Sequence, residues 1–535
     1  MVITFSGVLT GILLVPVLGA VVILLLPKEQ KDAARIIAAV TTGVALLLAL
    51  GVFFGYDVNA ANAAAEQGEV YFAFEDHVKW IESVGISWHL GVDGIAAPMV
   101  LLTALAGFTG VLISWGIEDR TREFMAFFLL LVAGVFGVFM AVDLFVLFFF
   151  YELAIFPMYF LIVIWGWAKT REYAAMKLTL YILVGSVVAL VGLLVLYFKA
   201  GAATGTGDYS FDFRALHAAA QAGVFDQPFA DWTSVSTARL WFPAIFIGFG
   251  VLAGVWPFHN WSPDGHVAAP TAVSMIHAGV LMKLGAFAAL RVGVQLLPDG
   301  ARAHLPWIIF LTLINVVYGA LIAMRQRDFK YVIGFSSVSH MGLVSMGFAT
   351  MNVTGMTGAG LQMFSHGVMT ALFFACVGMV YDRAHTRDIP SLGGFVQKLP
   401  LVAVAFIVGG FVSMGMPGLS GFVAEFPIFV GLWHGPVTEP VATWPTDSFN
   451  YYGAIAIVAA LGIIITAAYV LRVVGQVFFG EFDEERFPAV SRITVYDKIA
   501  LGILIFWLVL LGVYPKVMAP MIESGVKPIV SMLGG

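Results

Sequence analysis

Fourteen stretches of this chain are long and apolar enough to cross a lipid bilayer, and that count constrains the fold more than any motif does. A helix needs about 20 apolar residues to span the hydrocarbon. Inside it every backbone polar group must be paired within the protein, which a helix achieves unaided. The stretches lie near 5–26, 34–54, 95–115, 124–142, 144–166, 174–198, 240–262, 271–293, 304–324, 331–350, 358–381, 399–430, 452–477 and 497–519. Of the 535 residues 60% are hydrophobic and only 11% are charged, where soluble domains carry about 25% charge. The expected fold is an all-α polytopic membrane protein of about 14 transmembrane helices.

Basic residues orient the helices. Lys28, Lys31, Arg120, Lys169, Arg325, Arg383, Lys398 and Arg486 all fall in loops after odd-numbered spans. Loops after even-numbered spans are poorer in lysine and arginine, and the 55–94 loop is mostly acidic. The positive-inside rule then puts both termini outside the cytoplasm, as an even number of crossings requires. The first stretch, Phe5 to Leu26, follows no basic residue and exceeds a signal-peptide core, so it is expected to stay as span 1. The longer loops, 55–94, 199–239 and 431–451, are too short for a catalytic domain. A net charge of −6 spread over loops, with no basic patch, argues against nucleic acid as a partner.

Two spans are interrupted. The seventh runs into Trp256-Pro257-Phe258-His259-Asn260-Trp261-Ser262-Pro263-Asp264-Gly265-His266, and the twelfth carries Met414-Gly415-Met416-Pro417-Gly418-Leu419-Ser420-Gly421. Proline removes a donor and clashes with the preceding turn, so each site should break its helix. Breaks in matching positions of two halves mark an inverted-repeat transporter. That gives two inverted five-helix repeats, spans 4–8 and 9–13, although the residues themselves show no strong repeat. The expected division is 1–123 for spans 1–3 with an external loop, 124–298 and 299–480 for the repeats, and 481–535 for span 14.

Isolated ionisable groups stand inside these spans: Glu152 in span 5, Lys283 in span 8 and Glu425 in span 12. A charge at bilayer depth costs about 2.5–3.5 kcal/mol even on the lenient scale, so it needs a partner, a proton or water. The plainer reading of each is an ion pair that only fixes packing. His277, one helical face from Lys283, together with His340 and His366, populates the same depth, and imidazole can pass a proton on. Lone histidines in apolar helices are also often simple core residues. His259 and His266, beside the first break, read as entrance or structural residues. Lys177, early in span 6, either snorkels to the surface or partners Glu152. The turn Arg325-Gln326-Arg327-Asp328-Phe329-Lys330 reads as a basic interfacial anchor. The stretch Gly248–Gly254 misses the GxGxxG spacing and lies inside a span. There is no Walker motif, CxxC array or HExxH, and the single cysteine, Cys376, excludes a disulfide or a cysteine-ligated cluster. No cofactor or metal is expected in this chain.

Phe150-Tyr151-Glu152-Leu153-Ala154-Ile155-Phe156-Pro157-Met158-Tyr159, Pro257 through Thr271, Ser336 through Gly342, His385-Thr386-Arg387-Asp388-Ile389 and Met416 through Phe426 resemble the antiporter-like subunits of respiratory complex I. The resemblance covers about residues 90–480. That family also includes Mrp-type cation/proton antiporter subunits and membrane hydrogenase subunits. The Tyr-Glu-Leu-x-x-x-Pro-Met phrase and the span-12 glutamate follow the M pattern, the counterpart of mitochondrial chain 4. The resemblance implies a proton-translocating membrane-arm subunit of NADH:quinone oxidoreductase in the bacterial plasma membrane. Its implied partners are L-, N- and K-type subunits, a peripheral redox arm holding FMN, iron–sulfur clusters and quinone, and lipids. It also implies that Glu152 and Lys283 form a half-channel and that Glu425 opens the exit.

The chain departs from the family in one place. The span-7 lysine normally five residues before the Pro-x-His proline is Leu252 here. Lys177 or His259 is expected to partner Glu152 instead. The other readings are an Mrp-type or hydrogenase subunit that works on the same path, and a non-pumping scaffold.

Overall fold

The computed structural model describes residues 6–205, 208–436 and 451–534. Spans 1–6 are Val8–Leu25, Lys31–Phe54, Ala96–Ile113, Thr121–Met140, Leu144–Trp165 and Arg171–Ala203. Span 7 is two pieces, Thr237–Ala253 and Trp261–Ala268, and span 8 is Thr271–Val294. Spans 9–11 are Pro298–Arg325, Phe329–Ala349 and Val353–Ala384. Span 12 is also split, into Pro400–Ser413 and Ser420–His434, before Tyr451–Phe478 and Val495–Val513 complete the set. All fourteen expected spans are present, with the breaks in 7 and 12. The most apolar stretches of spans 8 and 11 are wholly buried, whereas in those of spans 1, 2, 6, 13 and 14 fewer than half the residues are buried. The middle of the bundle is therefore formed by spans such as 8 and 11, which carry Lys283 and His366.

The repeat that the residues hide is visible in the backbone. Span 5 is capped by Asp143, whose carboxylate accepts from the Phe145 and Val146 amides, and span 10 by Asp328, which accepts from Lys330 and Tyr331. Such caps satisfy amides that a helix start leaves unpaired. Each cap sits in a two-bond ladder. Leu144 N donates to Phe211 O and Phe213 N to Val142 O, at 2.9 and 2.8 Å. Phe329 N donates to Arg387 O and Ile389 N to Arg327 O, both at 2.8 Å. The first ladder lies five spans before the second, so the two are on opposite faces, as inversion demands. Glycines in the left-handed region, Gly254 (φ 78°) and Gly415 (φ 65°), end the first half of each broken span.

The break in span 7 is satisfied by a neighbour. Asn315 of span 9 accepts from the Trp256 amide at 2.6 Å and donates to Gly254 O at 2.8 Å. Freed backbone at membrane depth is tolerated only with such partners or water.

Some segments differ from the sequence reading. The 55–94 loop contains a helix, Val58–Glu66, and an antiparallel hairpin, β1 (Ala73–Ile81) with β2 (Ile86–Val92), that pairs His77 with His89. The 199–239 loop contains Phe213–Gln221. Most of the 431–451 loop, residues 437–450, lies outside the described residues, as does Phe5 at the start of the expected span 1. Span 14 ends at Val513, not near 519, because Pro515 stops it, and an unexpected amphipathic helix, Ala519–Met532, follows. Its Met521 and Ile522 press on Gly94 and Gly360, where any side chain would collide. Too short to span a bilayer, it packs its apolar face against span 11 and the Val58–Glu66 helix, where Lys527 also donates to Asn62 at 3.0 Å.

Candidate functional site

Span 8 departs from α geometry at two places, with π turns at His277–Leu281 and Ala289–Val294 on either side of Lys283. Single π turns inside α-helices are rare and gather at functional sites. Lys283 is fully buried, and its Nζ donates to Ala278 O at 2.6 Å inside the first wide turn. The same Nζ is 2.7 Å from His366 Nδ1 of span 11. Whichever nitrogen holds the proton, one donates and the other accepts, which is the arrangement a proton transfer requires.

The row continues. The His366 and His340 rings lie 5.3 Å apart between centroids. His340 Nδ1 is 3.1 Å from Glu425 Oε1, while its Nε2 is 2.9 Å from the Ser413 hydroxyl. Gln362 Nε2 donates to Glu425 Oε1 at 3.0 Å and lies 3.2 Å from His340 Nδ1. All of these side chains are buried. Gly415 makes room: a Cβ there would stand 3.2 Å from Glu425 Oε2. The structure thus brings Lys283, His366, His340 and Glu425 into one buried row through spans 8, 11, 10 and 12, whose middle step, His366 to His340, is ring proximity with His366 Nε2 unpaired among the described residues.

His277 lies behind this row. Its ring sits 4.3 Å from that of His266, and neither of its nitrogens has a hydrogen-bond partner among the described residues. His266 is fully buried and hydrogen-bonds Ser262 at 2.8 Å, so it belongs to the interior and not to an entrance.

Glu152 is half-buried between spans 5 and 6. The Ser186 hydroxyl approaches its carboxylate, and its Oε1 has no partner among the described residues. Lys177 does not reach it. Its Nζ pairs with Asp264 at 2.7 Å, and the Tyr331 hydroxyl donates to the other Asp264 oxygen at 2.9 Å. His259 makes no contact with Glu152 either: its ring packs edge-on against Tyr318, and its Nδ1 has no partner among the described residues. The expected Glu152 partner is therefore corrected. Lys177 points toward the break in span 7 because that break presents a nearer carboxylate.

The repeat explains Asp264. It follows Gly254 by ten residues, as Glu425 follows Gly415. Lys177 follows Asp143 by 34 residues, as Gln362 follows Asp328. Lys177–Asp264 in the first repeat therefore occupies the place of Gln362–Glu425 in the second. Leu252 matches Ser413, and Glu152 matches Ser337, by the same count. Sequence reasoning missed Asp264 and Gln362, although counting from the two glycines and the two capping aspartates finds both. It also placed Lys330 at the interface. The structure buries it, with Nζ donating to Ala269 O at 2.7 Å and to the Ser274 hydroxyl at 3.1 Å.

A family described as NADH:quinone oxidoreductase/Mrp antiporter, transmembrane, matches residues 141–444, more than half the chain and both broken helices. The chain belongs to that family. Among similar members of this oxidoreductase/antiporter family, NADH-quinone oxidoreductase subunit M of Rhodobacter capsulatus is 36% identical over 98% of this chain and 96% of its own. An NAD(P)H-quinone oxidoreductase chain 4 of Thermosynechococcus vestitus is 35% identical over 95% and 89%. A chain of respiratory complex I from Thermus thermophilus superposes with a TM-score of 0.82 at 25% identity, covering 99% of this chain and all of that one. A chain of the Mrp complex from Dietzia shares the fold at 21% identity, with a TM-score of 0.72 over 99% of both chains.

Proposed function

We propose that this chain is a proton-translocating membrane-arm subunit of an NADH:quinone oxidoreductase, in the position of subunit M. One observation carries the reading: the buried row Lys283–His366–His340–Glu425, with adjacent imidazole rings at its centre, in a chain that matches subunit M along its full length. The chain crosses the bacterial plasma membrane many times with both termini outside the cytoplasm, as its loop charges indicate. It works beside L-, N- and K-type subunits and a peripheral arm that holds the FMN, iron–sulfur clusters and quinone. Its single cysteine, Cys376, cannot supply the four thiolates that an iron–sulfur cluster commonly takes.

The residues act by electrostatics and short transfers. A charge displaced in a neighbouring subunit is felt first at Glu152, on the rim. Lys177–Asp264, at the first break, is the matched charged pair that stands in for the missing lysine at position 252. Lys283 then exchanges its proton with His366, which hands it to His340 and so to Glu425, beside the second break. Polar side chains and a widened helix at this depth supply what the hydrocarbon denies.

The test uses inverted membrane vesicles that hold the whole complex. Lys283→Met and Glu152→Gln should each lower proton accumulation per NADH at least tenfold while the peripheral arm still reduces an artificial acceptor. Unchanged accumulation in both variants would overturn the reading.

A further inference from the structure

A cavity of about 560 Å³ opens between the end of span 3, the 5–6 and 7–8 links, and spans 10 and 11. The loops around its mouth follow odd-numbered spans and carry Arg120 and Lys169, so it faces the basic side of the bundle. Its wall includes Ser114, Trp165, Trp167, Lys330, Asp382 and Arg387. Arg387 is 7% exposed; its guanidinium stacks over Trp167 at 4.1 Å, Nη1 donates to Val267 O at 3.0 Å, and Nε is 3.1 Å from Asp328. Its Nη2 has no partner among the described residues, nor does the hydroxyl of Ser114, which is 3% exposed. Buried polar atoms are almost always satisfied by protein or ordered water. Two unsatisfied ones in the wall of one roomy polar cavity mark a site built for water.

The floor of the cavity leads inward. Lys330 Nζ donates to the Ser274 hydroxyl of span 8 at 3.1 Å. That hydroxyl donates to His266 O at 2.8 Å and stands one turn before His277. The His277 ring, 4.3 Å from His266, begins the wide turn whose Ala278 carbonyl holds Lys283.

We propose that this cavity is the cytoplasmic inlet of the proton route, a hydrated vestibule in which Lys330 is the first side chain to take the proton. The proposal rests on the proton-translocation reading. In each cycle Lys330 gains one proton that reaches it through vestibule water and releases one inward past Ser274 toward His266 of span 7 and His277 of span 8, so it returns to its starting state. The inlet lies at the seam of the two repeats and bypasses Leu252.

The experiment uses the buried lone cysteine. In a Cys376→Ala background, Ser114→Cys is modified in inverted vesicles of the whole complex by a membrane-impermeant, sulfonate-bearing thiosulfonate. Modification from the cytoplasmic face should lower proton accumulation per NADH at least tenfold against the same variant before labelling, with artificial-acceptor reduction unaltered. Full accumulation after labelling, or labelling only from the opposite face, would overturn the inlet. Should the cysteine variant fail to assemble, Lys330→Ala replaces it. Its flux should fall at least tenfold and recover in part with added methylammonium, which fits the cavity. Undiminished flux, or a loss that methylammonium does not relieve, counts against the proposal. Lys283→Met separates the two ideas. If it and Glu152→Gln both still pump, the translocation reading fails. If it does not pump while vestibule modification has no effect, the inlet alone fails.

Discussion

The Lys177–Asp264 pair gives the sharpest test, because packing and conduction predict different behaviour for the doubly neutral chain. At 2.7 Å and an effective dielectric of about 20, the ions attract by about 6 kcal/mol. Desolvation offsets much of this. The side chains are 16% and 25% exposed, between exposed pairs, which couple by about 0.2–1 kcal/mol, and buried ones, whose disruption costs about 3–5 kcal/mol. A coupling of about 2 kcal/mol, roughly 30-fold, is the expectation. Lys177→Met and Asp264→Asn should each weaken heat stability of the detergent-solubilised complex, and the double variant should recover most of it. Proton accumulation per NADH in vesicles should fall at least tenfold in both single variants and stay low in the double, since a neutral pair holds no proton. If flux returns together with stability, the pair is packing and its assignment to the proton route is wrong.

Further outcomes follow from other contacts. Gly415→Ala and Gly418→Ala both force a side chain to positive φ (65° and 91°), about 1–2 kcal/mol, but only the first sets a Cβ 3.2 Å from Glu425 Oε2 while the second meets nothing, so Gly415→Ala should slow proton flux in vesicles more. Gln362→Leu removes the donor to a buried carboxylate, worth about 1.5–3 kcal/mol, and should cut flux about tenfold or more while the peripheral arm still turns over. In the hairpin between spans 2 and 3, burial opposes charge on His89, yet the Asp212 and Glu75 carboxylates at its two nitrogens hold it up to about 9. A folded value raised above the ordinary 6.5 stabilises fully below pH 6.5 and is lost as pH rises through 9. Thermal unfolding should therefore show about 3 kcal/mol less stability at pH 9.5 than at pH 6, and His89→Gln should abolish that dependence.

The fold was legible because a bilayer dictates helix length and tolerates charge only inside the bundle. Glu425 and Lys283 betrayed themselves for the same reason: nothing apolar explains a lone ion in such company. Asp264 did not, because it sits next to prolines and looks like a loop residue until the backbone shows Gly254 matched to Gly415. Lys330 escaped because three charged neighbours in the sequence made it resemble an anchor, and only the tertiary fold turns it toward Ser274. The Lys177 pairing could not be read at all. Helical position says which residues share a face, not which of two carboxylates on different helices lies nearer.

The hydroxyl of Tyr331 comes from one half of the molecule and the carboxylate it binds comes from the other. A shift of charge at Asp264 alters the tie between the halves, so protonation in one half does work on the geometry of its twin. Such reciprocity is a linkage between two sites. Neutralising Asp264 is therefore felt at Tyr331, in the first turn of span 10.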